Sequence, residues 1–345
     1  MNFVHKPLWT LWLNPTLVFN HKGINTKSTK HFRSAFKKLL PIFASHLWNV
    51  ITTVKTYLSL IKFSHTVFAL PFAVIGFCLG IAQPGQHFNG TLFLKVILCM
   101  IFARTAAMAF NRYIDRSIDV QNVRTNNREI PQGKVSASSA IFLILISSAA
   151  FIITTYFINH LCFTLSPVAL GVVLGYSLTK RFTWLCHLIL GIGLSLAPIG
   201  AYLAVTGTFD WLPLLFSFAV IFWVSGFDII YSLQDEDFDR SLNLYSMPVV
   251  LGKKNALNVS IILHSIAVLF LIIAGFLLPF GWIYWIGTIT FSSMLFYQHS
   301  LVKPNDLSKV NIAFFTTNGI ASLIFAGFTV TDLVVSRVFW FYYSL

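Results

Sequence analysis

Long apolar segments, each about the length of a membrane-spanning helix, dominate this sequence. A helix needs about 20 residues to cross the hydrocarbon core of a bilayer, where a spanning backbone must satisfy its own hydrogen bonds. Charged residues are only 10% of the 345 positions, too few to cover the surface of a water-soluble domain. We therefore predict an all-α polytopic membrane protein with about nine transmembrane helices, at residues 64–82, 91–110, 138–158, 161–179, 184–205, 212–230, 257–278, 281–301 and 309–331.

The connections between these segments alternate in charge. Connections without Lys or Arg alternate with basic ones, which lie at residues 111–137, 180–183, 231–256 and 302–308. Because Lys and Arg collect on cytoplasmic loops, the N-terminus and the basic loops are predicted to be cytoplasmic. The net charge of +13 is thus interpreted as a topology signal, and we expect no nucleic-acid partner.

Three regions are predicted along the chain. Residues 1–46 have no acidic residue and form a basic, poorly ordered N-terminal arm that lies against anionic lipid. Residues 47–335 form the membrane domain, which begins with an interfacial helix over 47–63, and residues 336–345 form a C-terminal tail. A mitochondrial transit peptide has a composition similar to that of the arm, so the mitochondrial inner membrane is a second interpretation of location.

The acidic residues are concentrated in two places. Seven of the eleven lie in the stretches NRYIDRSID and DIIYSLQDEDFD, at the ends of the second and the sixth apolar segments, and Glu129 follows the first stretch. A spacing of four residues places side chains one turn apart on the same helical face. Two polar ladders are therefore predicted, one formed by Asn111, Asp115 and Asp119 and the other by Asp228, Tyr231, Asp235 and Asp239. Acidic residues at membrane depth are rare and usually functional, which favours a shared site.

The ladders predict a divalent cation. Carboxylates at positions i and i+4 destabilise a bare helix by a few tenths of a kcal/mol, and a bound cation removes that cost. Mg²⁺ prefers oxygen ligands and typically binds one or two carboxylates together with substrate phosphates. Arg128, Lys180 and Arg181 lie on loops beside the acidic ones and are predicted to contact the substrate. Arg112, Arg116 and Arg124 are explained equally well as topology charges.

The two acidic stretches resemble the aspartate-rich motifs NxxxDxxxD and YxxxDxxxD of the UbiA superfamily of intramembrane prenyltransferases. Asp228 before the second motif, the Lys180-Arg181 loop and the Leu251-Gly252 pair fit the same resemblance. It covers residues 47–335 approximately. The surrounding sequences AAMAFNRYIDRSID and GFDIIYSLQDEDFDR also look like a bacterial subgroup, which places the protein in the bacterial cell inner membrane with cytoplasmic catalytic loops.

The resemblance implies a pseudo-symmetric bundle with cytoplasmic cap loops, a cavity open to lipid, and a set of roles for individual residues. Two Mg²⁺ ions would be held against a diphosphate by Asn111, Asp115, Asp119, Asp235 and Asp239. Lys180 and Arg181 would contact phosphate or an acceptor carboxylate, with Arg128 and Tyr231 as further substrate-binding residues. Asp115, Asp235 and Asp228 would be catalytic, and either Asp228 or Asp235 would help to remove the acceptor proton.

The expected reaction, in quinone biosynthesis, is transfer of a polyprenyl chain from a polyprenyl diphosphate to an aromatic acid. The expected acceptor is 4-hydroxybenzoate. Some members of the bacterial subgroup are associated with prenylation of a hydroxynaphthoate in futalosine-route menaquinone synthesis, which is one alternative. Another alternative, from a different class, is a cation-coupled transporter. A transporter predicts acids near the midpoints of its helices, whereas these acids follow the helix ends.

Overall fold

A computed structural model of the chain describes residues 48, 50–62, 66–278 and 280–343. The N-terminal arm predicted at 1–46 lies outside the described residues. Contacts divide the chain into residues 1–55 and residues 56–345. In the first unit, the described residues 48 and 50–55 are helical. In the second unit, residues 56–60 are helical and Leu60 is fully buried.

In its described length, the second unit consists of helices and the connections between them. In chain order its helices are α1 (Thr66–Ile81), α2 (Gly90–Ile114), α3 (Arg116–Gln121), α4 (Ala137–Tyr156), α5 (His160–Thr179), α6 (Cys186–Thr206), α7 (Leu212–Ser232), α8 (Glu236–Ser241), α9 (Met247–Leu277), α10 (Trp282–Leu301) and α11 (Asn318–Tyr343). A 3₁₀ turn at Leu233–Asp235 joins α7 to α8, and a π-helical turn at Ile312–Thr317 leads into α11.

A helix occupies each of the nine predicted segments. Within the described part of the chain, seven helical stretches are long and apolar enough to cross a membrane. The helix Phe68–Ile81 in α1 is apolar but shorter, and α10 coincides with the remaining predicted segment. The prediction of an all-α polytopic membrane protein is confirmed.

Aromatic side chains form the main core between six of the helices. α7 packs on α6 and α9, α6 packs on α1, and α1 and α10 both pack on α11. Trp223 of α7 lies at the centre, with its ring centroid 5.3 Å from Phe72 and 5.6 Å from Phe291. Its indole N–H donates to Asn318 Oδ1 over 2.9 Å, so the buried polar group has a partner. These packed rings fix the position of α7, which carries the second motif.

Helices α2, α4 and α5 form a second group that packs against α6. α2 packs on α4 and α5, and α5 packs on α6. α2 carries the first motif, and α5 leads into the Lys180-Arg181 loop. The two motifs therefore come from different groups of helices, whose meeting place is the cavity described below.

Neither motif forms a continuous ladder on one helix, which corrects the sequence prediction. α2 ends at Ile114, and Asp115 has φ −87° and ψ 4° before α3 begins at Arg116. In the second motif, the 3₁₀ turn at Leu233–Asp235 interrupts the helix before α8. Each motif therefore consists of the end of a long helix, a break at an aspartate, and a six-residue helix. We call the end of the bundle that carries α3 and α8 the motif end.

The connection predicted at 231–256 is also largely helical. α9 begins at Met247, ten residues before the predicted start of the seventh apolar segment. Gly252 interrupts α9 with φ 75° and ψ 159°, a backbone conformation that favours glycine. The apolar pattern missed this first part of α9 because its Lys253 and Lys254 are polar.

Four acidic residues lie outside the motifs and have structural contacts, and one of them, Glu129, accepts a hydrogen bond from the Ser59 hydroxyl. Asp210 accepts hydrogen bonds from the Tyr202 hydroxyl and the Leu212 N–H, each over 3.1 Å. Asp306 accepts from the Ser308 N–H in a turn. Asp332 of α11 accepts from the N–H of Gly281 over 2.8 Å and from that of Tyr284 over 3.3 Å, so it caps the N-terminus of α10 from a neighbouring helix. The motif acids are thus left for the site.

Candidate active site

A cavity of about 910 Å³ lies between the two groups of helices. Its motif end is lined by residues of both motifs, and its other end by Ala204 and Phe209. His187 and Ala204 both line it from α6, and their separation along the helix corresponds to about 26 Å at 1.5 Å per residue. Most of its wall is apolar, including Phe151, Leu165 and Val172. The cavity therefore combines a charged end with a long apolar compartment.

Four ion pairs connect the motif aspartates to basic residues around the charged end. Arg181 Nη2 lies 2.8 Å from Asp115 Oδ1, and Arg128 Nη1 lies 2.6 Å from Asp119 Oδ1. Lys180 Nζ lies 2.7 Å from Asp239 Oδ2, and Asp239 is completely buried. Asp235 pairs with Arg124, a residue of the loop after α3. The repulsion predicted between the carboxylates is therefore offset by the protein's own cations, and repulsion alone does not require a metal.

The Arg124 contact joins the two motifs directly. Arg124 Nε donates to Asp235 Oδ1 over 2.9 Å, and its Nη1 donates to the Tyr231 hydroxyl over 2.9 Å. Asn122 Nδ2 donates to the same Asp235 oxygen over 3.1 Å. The Tyr231 ring also stacks on Phe314, with centroids 4.1 Å apart. The loop after the first motif is thus attached to the second motif by at least three side-chain hydrogen bonds.

The Lys180-Arg181 loop makes a second connection between the motifs. Arg181 reaches Asp115 of the first motif, while Lys180 reaches Asp239 of the second. Arg181 also donates from Nη2 to the Ile114 carbonyl over 3.2 Å and from Nη1 to the Ser177 carbonyl over 2.9 Å. Burial raises the pKa of the Asp115 carboxyl, an effect that the neighbouring Arg181 opposes. Asn111 completes this side of the site, with its Nδ2 donating to Asp115 Oδ2 over 3.0 Å.

Asp228 has a different kind of partner from the other motif aspartates. Its Oδ2 lies 2.7 Å from Nδ1 of His187, the second residue of α6. In the described part of the chain no Lys or Arg nitrogen lies within 4.0 Å of its carboxylate. The His187 side chain is 3% exposed and that of Asp228 is 24% exposed, and both residues line the cavity.

Three further basic residues line the cavity without an ion pair to any described carboxylate. They are Lys62, Arg104 and Arg112. Arg112 is buried, and within the described residues its Nε has no hydrogen-bond partner. Burial, and then the charge of Arg112, lowers the pKa of Lys62. A cavity lined by cations that have no carboxylate partner among the described residues is suited to anionic ligands.

The structure brings together all ten residues predicted for the site. Asn111, Asp115, Asp119, Arg128, Lys180, Arg181, Asp228, Tyr231, Asp235 and Asp239 all line the cavity. Arg116, one of the residues explained by topology alone, instead lies over the ring of Tyr113 at 4.3 Å and is exposed. The two motifs therefore face one compartment.

Neither His187 nor Arg104 is among the residues predicted from the sequence, and Arg124 is explained there by topology alone. Arg104 lies within the predicted second span, seven residues before Asn111 and thus on the same helical face. A charge within a span is itself a signal of function. No pattern in the sequence indicates Arg124, because its partner Asp235 is 111 residues away.

The donor set at the motif end is suited to Mg²⁺. Among the described residues, no group of three or more His, Cys, Asp or Glu side chains already converges on one metal position. Mg²⁺ does not require such a cage, because it keeps several waters and shares phosphate oxygens with its substrate. Oδ2 of Asp119 is buried and has no hydrogen-bond partner in the described structure, which leaves an oxygen ligand available. The carboxylate and amide oxygens present therefore fit the ion.

Comparison with known proteins identifies the family of the chain. A profile described as the UbiA prenyltransferase family matches residues 69–320, which include both motifs. The chain belongs to the UbiA prenyltransferase family. It is therefore a prenyltransferase, and the transporter alternative is wrong.

Curated relatives in this family share about 30% of their residues with the chain. A 4-hydroxybenzoate octaprenyltransferase of Nitrosomonas europaea is 31% identical over 238 residues, which cover 69% of this chain and 81% of the relative. One from Alcanivorax borkumensis is 29% identical over 237 residues, with 69% and 81% covered. The similarity thus extends over most of each protein.

Solved UbiA structures have the same fold. A UbiA homologue from Aeropyrum pernix, solved in its apo form, is 30% identical with a TM-score of 0.68, and 79% of this chain and 98% of that chain are covered. A UbiA homologue from Archaeoglobus fulgidus, bound to DMAPP and Mg²⁺, is 22% identical with a TM-score of 0.66, and 81% and 99% are covered. The UbiA bundle is therefore the fold of this multi-pass membrane protein.

Proposed function

We propose that this UbiA-family prenyltransferase transfers a polyprenyl chain from a polyprenyl diphosphate to 4-hydroxybenzoate, in quinone biosynthesis. The observation that carries the proposal is the convergence of both aspartate motifs and seven basic residues on one largely apolar cavity of about 910 Å³. The curated relatives at about 30% identity are named for 4-hydroxybenzoate, which supports this acceptor. A hydroxynaphthoate in futalosine-route menaquinone synthesis is the alternative acceptor.

The charged end is proposed to bind the diphosphate. Asn111, Asp115, Asp119, Asp235 and Asp239 would hold Mg²⁺, which supplies positive charge to the diphosphate as it leaves. Arg128, Lys180 and Arg181 already lie within 2.8 Å of these carboxylates, so they are within reach of a phosphate bound beside them. Bidentate contacts from Arg stabilise the charge that develops on phosphate oxygens. Asp115 and Asp235 are therefore proposed to be catalytic, because they would hold the Mg²⁺ that contacts the diphosphate.

The apolar compartment is proposed to hold the polyprenyl chain and to protect its reactive end. Ionisation of the allylic C–O bond leaves a carbocation, which water would destroy. Apolar side chains such as Leu165 and Val172 line the cavity and would exclude water from this region. The ring carbon ortho to the phenol can then attack the carbocation. Tyr231, between Arg124 and Phe314, would close one side of the substrate position.

The acceptor carboxylate is proposed to bind basic residues of the cavity that take no part in the four ion pairs with the motif aspartates. Lys62, Arg104 and Arg112 line the cavity and have no such partner among the described residues. A carboxylate would supply the hydrogen-bond acceptor that Arg112 Nε lacks. An acidic acceptor therefore suits this cavity better than a neutral one.

The protein is further proposed to lie in the bacterial inner membrane with the motif end in the cytoplasm. The bacterial relatives and the concentration of Lys and Arg in the connections at this end support that orientation. Residues 47–335 would form the catalytic domain, preceded by a basic arm. The tail predicted at 336–345 is not proposed as a separate region, because α11 continues past residue 335 to Tyr343.

The acceptor is tested by incubating membranes that contain the protein with labelled octaprenyl diphosphate and Mg²⁺. Four acceptors are compared by mass spectrometry: 4-hydroxybenzoate, a hydroxynaphthoate, homogentisate and haem. We expect a ring-prenylated product from 4-hydroxybenzoate. A product from the hydroxynaphthoate alone would favour the alternative pathway, and a product from homogentisate or haem alone would contradict the proposed acceptor class.

A further inference from the structure

The His187–Asp228 pair has a geometry that the diphosphate site does not explain. Asp115, Asp119, Asp235 and Asp239 each contact a guanidinium or an ammonium group. Asp228 alone among the motif aspartates contacts an imidazole instead, within the described residues. A carboxylate next to a cation is a weaker base, because the cation favours its ionised form. Asp228 is therefore the motif carboxylate that, within the described residues, has no guanidinium or ammonium partner to compete with a proton.

Hydrogen bonds to both ring nitrogens define the role of His187. The Met247 N–H donates to His187 Nε2 over 3.3 Å, so that nitrogen acts as an acceptor. A neutral ring then carries its hydrogen on Nδ1, which donates to Asp228 Oδ2 over 2.7 Å. Met247 is the first residue of α9, where backbone N–H groups lack partners within the helix. The start of α9 thereby favours the tautomer that donates to Asp228.

The surrounding backbone holds this arrangement in place. The Tyr245 N–H donates to the Lys180 carbonyl over 2.8 Å, which attaches the segment before α9 to the loop before α6. The Ser225 hydroxyl donates to the His187 carbonyl over 3.1 Å, which attaches the start of α6 to α7. His187 and Asp228 are thus positioned by three elements, and one carboxylate oxygen of Asp228 remains for the cavity.

We propose that Asp228 is the base that removes the ring proton of the aromatic acceptor, and that His187 is the positioning residue that orients it. This inference rests on the proposed function. Attack of the ring carbon on the prenyl carbocation forms a C–C bond and leaves a cationic ring that still carries its hydrogen. Asp228 takes that hydrogen as a proton through its free oxygen, and the C–H electron pair restores the aromatic ring. Asp228 later releases the proton to water or to the departed diphosphate.

Substitution of His187 by asparagine or by glutamine distinguishes a role in orienting Asp228 from a purely structural role. Asn carries its N–H₂ at the δ position and can still donate to Asp228, whereas Gln reaches the ε position and can still contact the Met247 N–H. We expect His187→Asn to keep most of the wild-type kcat, and His187→Gln and Asp228→Asn to lose about 100-fold or more, as for removal of an acid–base group. KM for the prenyl diphosphate should change little in all three variants.

An isotope effect gives a readout that a folding defect cannot produce. The acceptor probe is 4-hydroxybenzoate deuterated at both ring carbons ortho to the hydroxyl, compared with the unlabelled compound. The wild type should show no primary effect, because ionisation precedes C–H cleavage, whereas His187→Gln and Asp228→Asn should show one. Equal losses in His187→Asn and His187→Gln without an isotope effect would overturn the inference, as would full activity in both. Failure of the wild type to prenylate any aromatic acid would contradict the proposed function itself, and the inference with it.

Discussion

Arg124 donates from Nε to Oδ1 of Asp235 over 2.9 Å, although 111 residues separate the two in sequence. The contact attaches the loop after the first motif to the break in the second motif. Arg124 also donates to the Tyr231 hydroxyl, so one guanidinium contacts two residues of the second motif. This side chain therefore helps to hold the two motifs together, alongside the Lys180-Arg181 loop.

We predict that Arg124→Lys lowers kcat/KM by about tenfold or more, equivalent to about 1.4 kcal/mol. Lys has no planar fork and cannot replace the contacts to both Asp235 and Tyr231. Arg116→Lys is the matched control, because Arg116 is exposed and contacts Tyr113 outside the site. Comparable losses in both variants, measured in purified protein, would contradict a specific role for Arg124.

Asp115→Ala and Asp235→Ala should each lower kcat by about two to three orders of magnitude, as expected for loss of a group that stabilises charge in the transition state. Asp237→Ala should retain near-normal turnover, because the Asp237 side chain is 93% exposed. The variants are compared by product formation, after confirming equal amounts of protein in the membrane. Near-normal turnover in Asp115→Ala would mean that the first motif is only a solvated helix end.

Activity should require a divalent cation. Membranes washed with EDTA are expected to lose activity and to recover it on addition of Mg²⁺, because the oxygen-rich donor set fits this ion. Direct binding is measured with purified protein as an increase in thermal stability on adding Mg²⁺ with a diphosphate analogue. The double variant Asp119→Asn/Asp239→Asn is the control, and it should show a smaller increase. Full turnover in chelator would contradict the proposed mechanism.

Arg181 should matter more than Lys134, although both are basic residues near the motif end. Arg181 contacts Asp115 and the Ile114 and Ser177 carbonyls, whereas Lys134 is exposed. We expect Arg181→Lys to lose about tenfold or more in kcat/KM, or about 1.4 kcal/mol. Lys134→Ala should stay within about twofold of the wild type, the scale of an ordinary exposed substitution. Small and equal effects would identify Arg181 as a topology charge.

The motif end should be cytoplasmic. Single cysteines at Ser117 and Ser241, both exposed in α3 and α8, should resist a membrane-impermeant thiol reagent added to intact cells. A cysteine at Thr208, exposed in the connection between α6 and α7, should react. The unmodified protein measures the background from its four native cysteines. Reaction of Ser117→Cys or Ser241→Cys before cell lysis would reverse the proposed orientation.

Asp332→Ala should destabilise the protein without a direct effect on chemistry. Its carboxylate caps α10 through the Gly281 and Tyr284 N–H groups, and loss of a helix cap costs about 0.5–2 kcal/mol. Asp332→Asn keeps an acceptor oxygen and should lose less. Thermal unfolding in detergent checks both variants, and an unchanged Tm in Asp332→Ala would show that the cap does not contribute to stability.

The composition of the chain and its residue spacing determined the fold class and the two motifs. An apolar run predicts a membrane helix because the stability of a helix in lipid depends on the side chains of that run and not on distant residues. A helix occupies all nine predicted positions. The aspartates at i and i+4 were visible for the same reason, since their spacing is local. The breaks at Asp115 and Leu233–Asp235 were not visible, because the apolar pattern does not report helix interruptions at polar residues.

Only the tertiary structure decided which charges meet. In sequence alone, Arg116 and Arg124 are equivalent loop cations, yet Arg116 contacts its neighbour Tyr113 while Arg124 contacts Asp235. His187 and Asp228 lie 41 residues apart and meet because α6 packs on α7. A hydrogen bond requires two groups within about 3 Å, a distance that depends on how helices pack rather than on local spacing. For this reason the sequence determined the list of motif residues, and the packing of the helices decided their partners.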